Sequence, residues 1–382
     1  MTDLPVKGEV LQWARKFRKL SEREAADMLG IAVKELQEFE SEKRPVTIGI
    51  LENFSSKYHL PQATLFRLTP PDEPPEPQDF RTEGGKRRRD SFEFRLALSN
   101  VRTWLSQYGR IIVDDDEFET PEIPLITTEE KADLVGERER KRFGITPEQQ
   151  LAWPREEAFR RWRASLEMRG INVFQQKFPI DNCKGFTLYE SADSPVIVVN
   201  KIEELDVAKI FTLMHEYCHL LLRKPGISDE NSADPVEAYC NKFAAAFLMP
   251  TEVLRLLLPF WPNKSVVWEV EQINNWASRL KVSRVSLAYR LEHLGVAPKG
   301  FGRRFEPSRK IPKIGRDRSP RVDPTVVLLS EVGGNYARSV ISALDRNIID
   351  EAHAVEALGI SEHNLHKART AAQRTLELAK GG

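Results

Sequence analysis

Apolar residues return at helical spacing from the first part of the chain onward. Val10, Leu11, Ala14 and Phe17 share one helical face. Ser21 followed by Glu24 carries the signature of a capping box for a second short helix, and Gly30 breaks the chain before the pattern resumes from Val33 to Phe39. The predicted order is helix, helix, turn, helix. Leu51, Phe54, Tyr58 and Leu60 continue the rhythm, so about five short helices close a small core that ends near Leu68. TPPDEPPEPQ, from Thr69 to Gln78, holds too many prolines for helix or sheet and reads as a linker, followed by the basic cluster Lys86 to Arg89.

Helical spacing returns from Phe92 to Tyr108, with Leu96, Leu98, Val101, Trp104 and Leu105. A loop rich in acid and proline follows at Asp114 to Pro124, and then charged helical sequence to Arg142. From Ile171 the period changes. Ile171 to Gln176, Gly185 to Tyr189 and Val196 to Val199 are short β-prone runs between turn residues, which predicts a small sheet. Past Gly300 the chain is basic and rich in proline and glycine up to Arg321, as a tether would be. A last helical stretch carries Tyr336, Val340, Ile341, Leu344, Leu358 and Leu365.

Directly after the predicted sheet stands TLMHEYCHL, Thr212 to Leu220. His215 and His219, one helical turn apart, project from the same face and can grip one zinc ion, while Glu216 is placed to act as general base. H-E-x-x-H arises by chance in roughly one chain in a hundred of this length, so a third ligand is needed to support it. The stripe Val207, Ile210, Phe211, Met214, Cys218, Leu221 and Leu222 puts both histidines at its edge and Cys218 in its middle, as a core thiol. Glu237 is the best third ligand, near the start of a helix from Pro235 to Leu248. With Asp234 as N-cap and Pro235 in the first turn, Glu237 also suits a purely helix-terminal role, and Asp229, Glu230 and Asp234 compete with it. Asn241, one turn on, can hydrogen-bond a ligand from behind or close a helix contact.

Composition sets the surroundings. The 382 residues exceed one ordinary core and predict two or three domains. Lys and Arg total 57 and Asp and Glu total 57, so no global field draws the chain to nucleic acid or to an anionic membrane. Cys183, Cys218 and Cys240 form no paired or C-x-x-C pattern, which points to a reducing, cytoplasmic setting. No apolar signal core and no membrane-spanning run is present in the sequence. Residues 1–68 hold eleven Lys and Arg against ten Asp and Glu. The third helix sets Glu35, Glu38 and Glu40 against Lys34 alone, which weakens attraction to phosphate. Lys34 and Gln37 are candidates for reading DNA base edges, and Arg15, Lys16, Arg18 and Arg23 for touching the backbone. The same charge balance suits a homodimer or the docking of a partner protein. The clusters Lys86 to Arg89, Arg138 to Arg142 and Arg303 to Arg321 read as solvated faces and a tether.

Three blocks carry a resemblance: His215-Glu216-Tyr217-Cys218-His219, then Glu237-Ala238-Tyr239-Cys240-Asn241-Lys242-Phe243-Ala244, then Leu248-Met249-Pro250. Together they resemble the ImmA/IrrE family of zinc metallopeptidases, whose pattern is HExxH, E-x-x-A-N-x-F-A and L-M-P. Residues 1–68 resemble the Xre-type helix-turn-helix domain often fused to this peptidase, and Asp79-Phe80-Arg81 looks like the usual junction. The resemblance extends to about Gly302. It implies that His215, His219 and Glu237 bind Zn2+ with Glu216 as base, and that Cys240 replaces a usual alanine. Family members cleave regulatory proteins, often repressors.

The resulting expectation is an α+β, predominantly helical chain. A five-helix helix-turn-helix domain occupies 1–68, a Pro-rich and basic linker 69–90, a zincin-like peptidase domain with a small β-sheet 91–302, a basic linker 303–324 and a C-terminal helical unit 325–382. The expected function is a cytoplasmic zinc endopeptidase acting on one regulatory protein, its N-terminal module binding DNA or a partner. The alternative is a transcriptional regulator or antitoxin-like protein that masks a partner such as a neighbouring toxin. For a second oxyanion donor, Tyr217, Tyr239 and His293 qualify by residue type only.

Overall fold

In a computed structural model of the chain, the described residues are 4–70, 91–306 and 323–380, together with the backbone of 78–79, 82–83 and 86–87. Within those spans, positions 19, 59, 61, 114, 116–118, 180–182, 204, 225, 228–233 and 259–267 are excepted. The proline linker at 71–77, Phe80 and Arg81 of the junction, the tether at 307–322, and the competing acids Asp229 and Glu230 lie outside the described residues. The chain divides into two compact units, one of residues 1–76 with 89–100, the other of 77–88 with 101–382.

The first unit is built of α1 (Gly8–Phe17), α2 (Glu22–Leu29), α3 (Val33–Glu40), α4 (Ile48–Tyr58) and the single turn α5 (Gln62–Leu65). Ser21 caps α2 as a capping box: Ser21 Oγ accepts from Glu24 N–H and the Glu24 carboxylate accepts from Ser21 N–H at 2.8 Å. Gly30 ends α2 at φ +71, the left-handed conformation that glycine takes without strain. Val10, Leu11, Ala14, Leu36, Phe39, Leu51, Phe54 and Tyr58 form the core.

Two arginines differ from their predicted role as backbone contacts. Arg15 is buried and forks onto Glu40, Nε to Oε1 at 2.6 Å and Nη2 to Oε2 at 2.8 Å. Arg18 is fully buried, and its Nε donates to Tyr58 O at 2.7 Å. Neither presents its charge to solvent. Lys16, Arg23, Lys34 and Gln37 are exposed, with Gln37 Nε2 donating to Glu22 Oε2 at 2.6 Å. The acids of α3 are largely matched inside the unit, since Arg44 Nη1 lies 2.9 Å from Glu35 and 4.0 Å from Glu38.

Before the second core come the two-residue strands β1 (Gln78–Asp79), β2 (Thr82–Glu83) and β3 (Lys86–Arg87), then α6 (Phe92–Val113), α7 (Ala132–Arg142), α8 (Pro147–Ala152) and α9 (Ala158–Glu167). β4 (Asn172–Gln176), β5 (Gly185–Leu188) and β6 (Val196–Asn200) follow, then α10 (Asp206–Leu221), β7 (Gly226–Ile227), α11 (Pro235–Leu248), α12 (Thr251–Leu257), α13 (Val270–Leu280) and α14 (Arg284–His293). The last helices are α15 (Pro324–Asp345), α16 (Glu351–Leu358) and α17 (Leu365–Lys380). Sheet order is β1-β7-β5-β6-β4, with β4 parallel and β5 antiparallel to β6. Every residue of β4, β5 and β6 is buried, so both faces are covered. Val173, Ile197 and Val199 join the core that holds α10, while Phe174 on the opposite face meets Trp104 of α6 and Tyr336 of α15, ring centroids 5.0 and 5.8 Å away. Among the described residues no helix is long and apolar enough to cross a membrane.

The C-terminal helices are not the separate unit that the tether suggested. They complete the second unit, and the junction is built around Gly333 of α15. Gly333 has φ +78 and ψ 173, which breaks the helix there. The freed carbonyl of Ser330 accepts from Arg163 Nη1 at 2.6 Å, and Gly334 N–H donates to Glu167 Oε1 at 3.0 Å. Arg163 and Glu167, one turn apart on α9, also bond each other at 2.9 Å. A Cβ on residue 333 would stand 2.4 Å from both Arg163 Nη2 and Glu167 Oε1. Gly333→Ala is therefore expected to lower the unfolding free energy of the second unit by roughly 2–4 kcal/mol, from backbone strain and displacement of a buried ion pair. Urea denaturation followed by tryptophan fluorescence checks this; an unchanged midpoint would mean that the break does not hold the junction.

Candidate metal centre

α10 is held by its apolar stripe, Val207, Ile210, Met214, Cys218 and Leu221 all being buried between the sheet and the surrounding helices. Its other flank faces α11. Asp234 caps α11 by accepting from Val236 N–H at 2.7 Å, and Pro235 fills the first turn, so Glu237 enters the helix pointing at α10. His215 and His219 converge on Glu237. His215 Nε2 lies 3.1 Å from Glu237 Oε2, His219 Nε2 lies 3.2 Å from Glu237 Oε1, and the two Nε2 atoms are 3.2 Å apart. His215, His219 and Glu237 are 0% exposed and Glu216 is 1% exposed.

The outer nitrogens decide what the inner ones offer. His219 Nδ1 is 3.1 Å from Lys224 O and His215 Nδ1 is 3.0 Å from Asn241 Oδ1. A carbonyl oxygen only accepts, so each Nδ1 carries a proton and each Nε2 turns its lone pair inward. Two lone pairs and a carboxylate then share one buried space, an arrangement that requires a cation or a proton at its centre. Glu237 Oε1 near His219 lacks hydrogen-bond geometry and has no other partner among the described residues. Burial alone would raise the Glu237 carboxyl, but His215 and His219 beside it hold it down at about 2. Burial likewise disfavours the His219 imidazolium, yet Cys240 and Glu237 beside it raise its pKa to about 10. The donor set fits a divalent cation of borderline softness such as zinc, in place of that proton.

Two side chains compete for the third place beside the histidines. The carboxylate of Glu237 reaches both Nε2 atoms, while Cys240 Sγ falls within 4.8 Å of the histidine nitrogens. Glu237 is the better third donor, because it reaches both Nε2 atoms and is already ionised, whereas burial pushes the Cys240 thiol well up.

Glu216, next to His215 on α10, meets β5. Its Oε2 accepts from Thr187 Oγ1 at 2.7 Å. Burial pushes the Glu216 carboxyl up, and His219, His215 and the Thr187 hydrogen bond act against that rise. Gly185 permits the approach: a Cβ there would lie 2.7 Å from Thr212 Cγ2 and 3.2 Å from Glu216 Cγ. Thr187 and Gly185 were not singled out from the sequence, where they are ordinary members of a β-prone run. Of the three residues considered as oxyanion donors, two are committed elsewhere: Tyr217 OH donates to Glu139 Oε2 at 3.1 Å and Tyr239 OH to Thr127 O at 3.3 Å. His293, 42% exposed, pairs with Asp133 at 2.7 Å and borders a cavity of about 860 Å3 that Asn241 also lines.

Residues 166–292 match the family model of the IrrE N-terminal-like domain, Peptidase_M78. The match runs from the end of α9 into α14 and takes in His215, Glu216, His219, Glu237 and Asn241. It points to a metallopeptidase-like function for this segment. No curated protein and no solved structure matches the chain.

Purified His219→Ala is expected to lose bound metal, while Glu216→Gln keeps it, because Glu216 is bonded to Thr187 and is not among the converging donors; metal content by plasma mass spectrometry checks both. Metal uptake must displace the proton that His219 holds below a pKa of about 10, so apparent affinity weakens as pH falls. Competition titrations with a chelating dye at several pH values should show that slope, and a flat profile would contradict the assigned proton.

Proposed function

We propose that the chain is a cytoplasmic zinc-dependent endopeptidase that cleaves one specific regulatory protein, with His215, His219 and Glu237 as metal ligands and Glu216 as general base. The observation that carries this reading is the convergence of two imidazole Nε2 atoms and a carboxylate, with a second carboxylate, next in sequence to His215, oriented by Thr187. The three cysteines are unpaired, which supports a reducing compartment. A bound zinc ion would supply Lewis acidity at the scissile carbonyl. Glu216 takes the proton of the attacking water and delivers it to the leaving amine. Burial favours that role, since raising the pKa of the Glu216 carboxyl makes it a stronger proton acceptor. Asn241, by fixing His215 Nδ1, keeps the ligand lone pair aimed inward.

The alternative, a regulator or antitoxin-like protein that masks a partner, draws on one observation: all four groups of the centre are buried, and a peptide has no access to them in this conformation. Co-expression of wild type and Glu216→Gln with the products of adjacent genes separates the two readings. The first expects a fragment, detected by mass spectrometry, that wild type makes and Glu216→Gln makes about 10²–10⁴-fold less. Co-purification of both forms with the same intact neighbour, zinc supplied and no fragment formed, would favour the second.

For the N-terminal unit we propose DNA binding through an Xre-like helix-turn-helix, with Lys34 and Gln37 toward base edges and Lys16 and Arg23 toward phosphates. The internal pairing of Glu35 and Glu38 with Arg44, and of Glu40 with Arg15, supports it by reducing the repulsion those acids would exert on a phosphate backbone. Mobility shift on the upstream region of its own operon is expected to show a low-salt complex that Lys34→Ala weakens. The absence of any complex at low salt removes the DNA-binding proposal.

A further inference from the structure

We infer that the cavity of about 860 Å3 lined by α10, α11 and α14 seats the segment of the protein on which this chain acts, taking an apolar side chain onto its floor and an adjacent acidic side chain at its rim. The inference rests on the endopeptidase reading above, which identifies the occupant as substrate. Its position comes from the fold. Val207 and Phe211 line the cavity, and a further step of four residues along the same face of α10 arrives at His215. On α11 Asn241 lines it too, and its Oδ1 accepts from His215 Nδ1 at 3.0 Å. Lys184, another lining residue, adjoins Gly185, where a Cβ would stand 3.2 Å from Glu216 Cγ. The cavity therefore ends on neighbours of a candidate ligand and of the candidate base, and brings a bound segment beside both.

The lining selects the occupant in two ways. Phe211, Ala245 and Val285 pack on the core yet remain partly exposed, so an apolar side chain that covers them gains burial which folding has left unused. The charges around them have one sign in excess, since Lys184, Lys242 and Arg290 line the cavity against Glu306. Arg290 is engaged by Asp133 and, at 3.3 Å, by Glu137, neither of which lines the cavity, and Glu306 accepts from Tyr289 OH. Lys242 is exposed and pairs with no acid among the described residues. A carboxylate on the occupant is attracted there, and a cation is repelled. The same sign argues against filling by this chain's own tether, because residues 307–322, which follow Glu306, hold six Lys and Arg against one Asp. An acidic peptide interrupted by leucine, isoleucine or phenylalanine meets both conditions.

Full-length Glu216→Gln, supplied with zinc and immobilised, serves to select binders from a displayed library of random dodecapeptides. Enriched sequences are expected to carry an apolar residue with Asp or Glu close beside it. The best binder, and a copy with its acids exchanged for lysine, are then labelled and titrated by fluorescence anisotropy. Adding Lys242→Glu should weaken the acidic peptide about tenfold and strengthen the lysine copy. Adding Val285→Trp, which fills the floor, should weaken both peptides, and the charge reversal at an exposed position still decides the matter if that variant does not fold. No enrichment, enriched sequences without acid, or affinities that Lys242→Glu leaves unchanged for both peptides would overturn the inference. Wild type with zinc separates it from the reading it rests on: cleavage of the selected peptide supports both, whereas a peptide bound as expected and left intact keeps the recess and removes the endopeptidase.

Discussion

The face-to-face packing of α10 and α11 is what the rest of the second unit depends on. It forces two imidazoles and a carboxylate, each costly to bury alone, into one dry space where a shared proton or cation can satisfy them together. Such a cluster survives only against a rigid apolar background, and that background is aromatic. Phe143 lies 4.9 Å from Phe247 and 5.5 Å from Tyr217, Trp162 lies 5.5 Å from Phe247, and Phe243 stacks on Phe247. Gly136 of α7 makes the approach close, since a Cβ there would stand 2.7 Å from Phe243 O. α11 is thus clamped between α7 and α10, and the first turn of α11 has little freedom to withdraw Glu237.

The sheet acts on α10 at Glu216, the neighbour of His215. β5 brings Thr187 to Glu216 and orients that carboxylate. Two acids of similar chemistry are thereby sorted into different environments, one pushed down by histidines and one pushed up by burial. Glycine at 185 allows the strand to come near Glu216.

Local patterns were readable wherever the cause lay within a turn or two. The Ser21 capping box, the helical break at Gly30, the three β-prone runs and the histidine pair all follow from spacing alone. Glu237 could not be chosen over neighbouring acids by spacing, because the choice depends on how α11 packs on α10. Arg15 could not be seen as buried, because its partner Glu40 is 25 residues away and on another helix. The C-terminal helices looked independent for a similar reason: the tie between α9 and α15 joins residues 167 apart in sequence. In each case the missing information was a long-range partner, and a helical pattern records only that a face is apolar, not which face it meets.

The break in α15 has a further consequence for where this molecule can be divided. A helix interrupted at Gly333 presents fresh carbonyls and a fresh amide, and both sets are received by side chains of α9, which precedes the sheet. The C-terminal segment therefore acts as a stopper in the body of the second unit, and the body in turn finishes the segment. A fragment ended at residue 302 would keep every metal-binding candidate yet strand Arg163 and Glu167 at a raw surface, with Phe174 of β4 stripped of Tyr336. Modularity in this chain thus follows the interlocking of side chains and ignores the position of the tether.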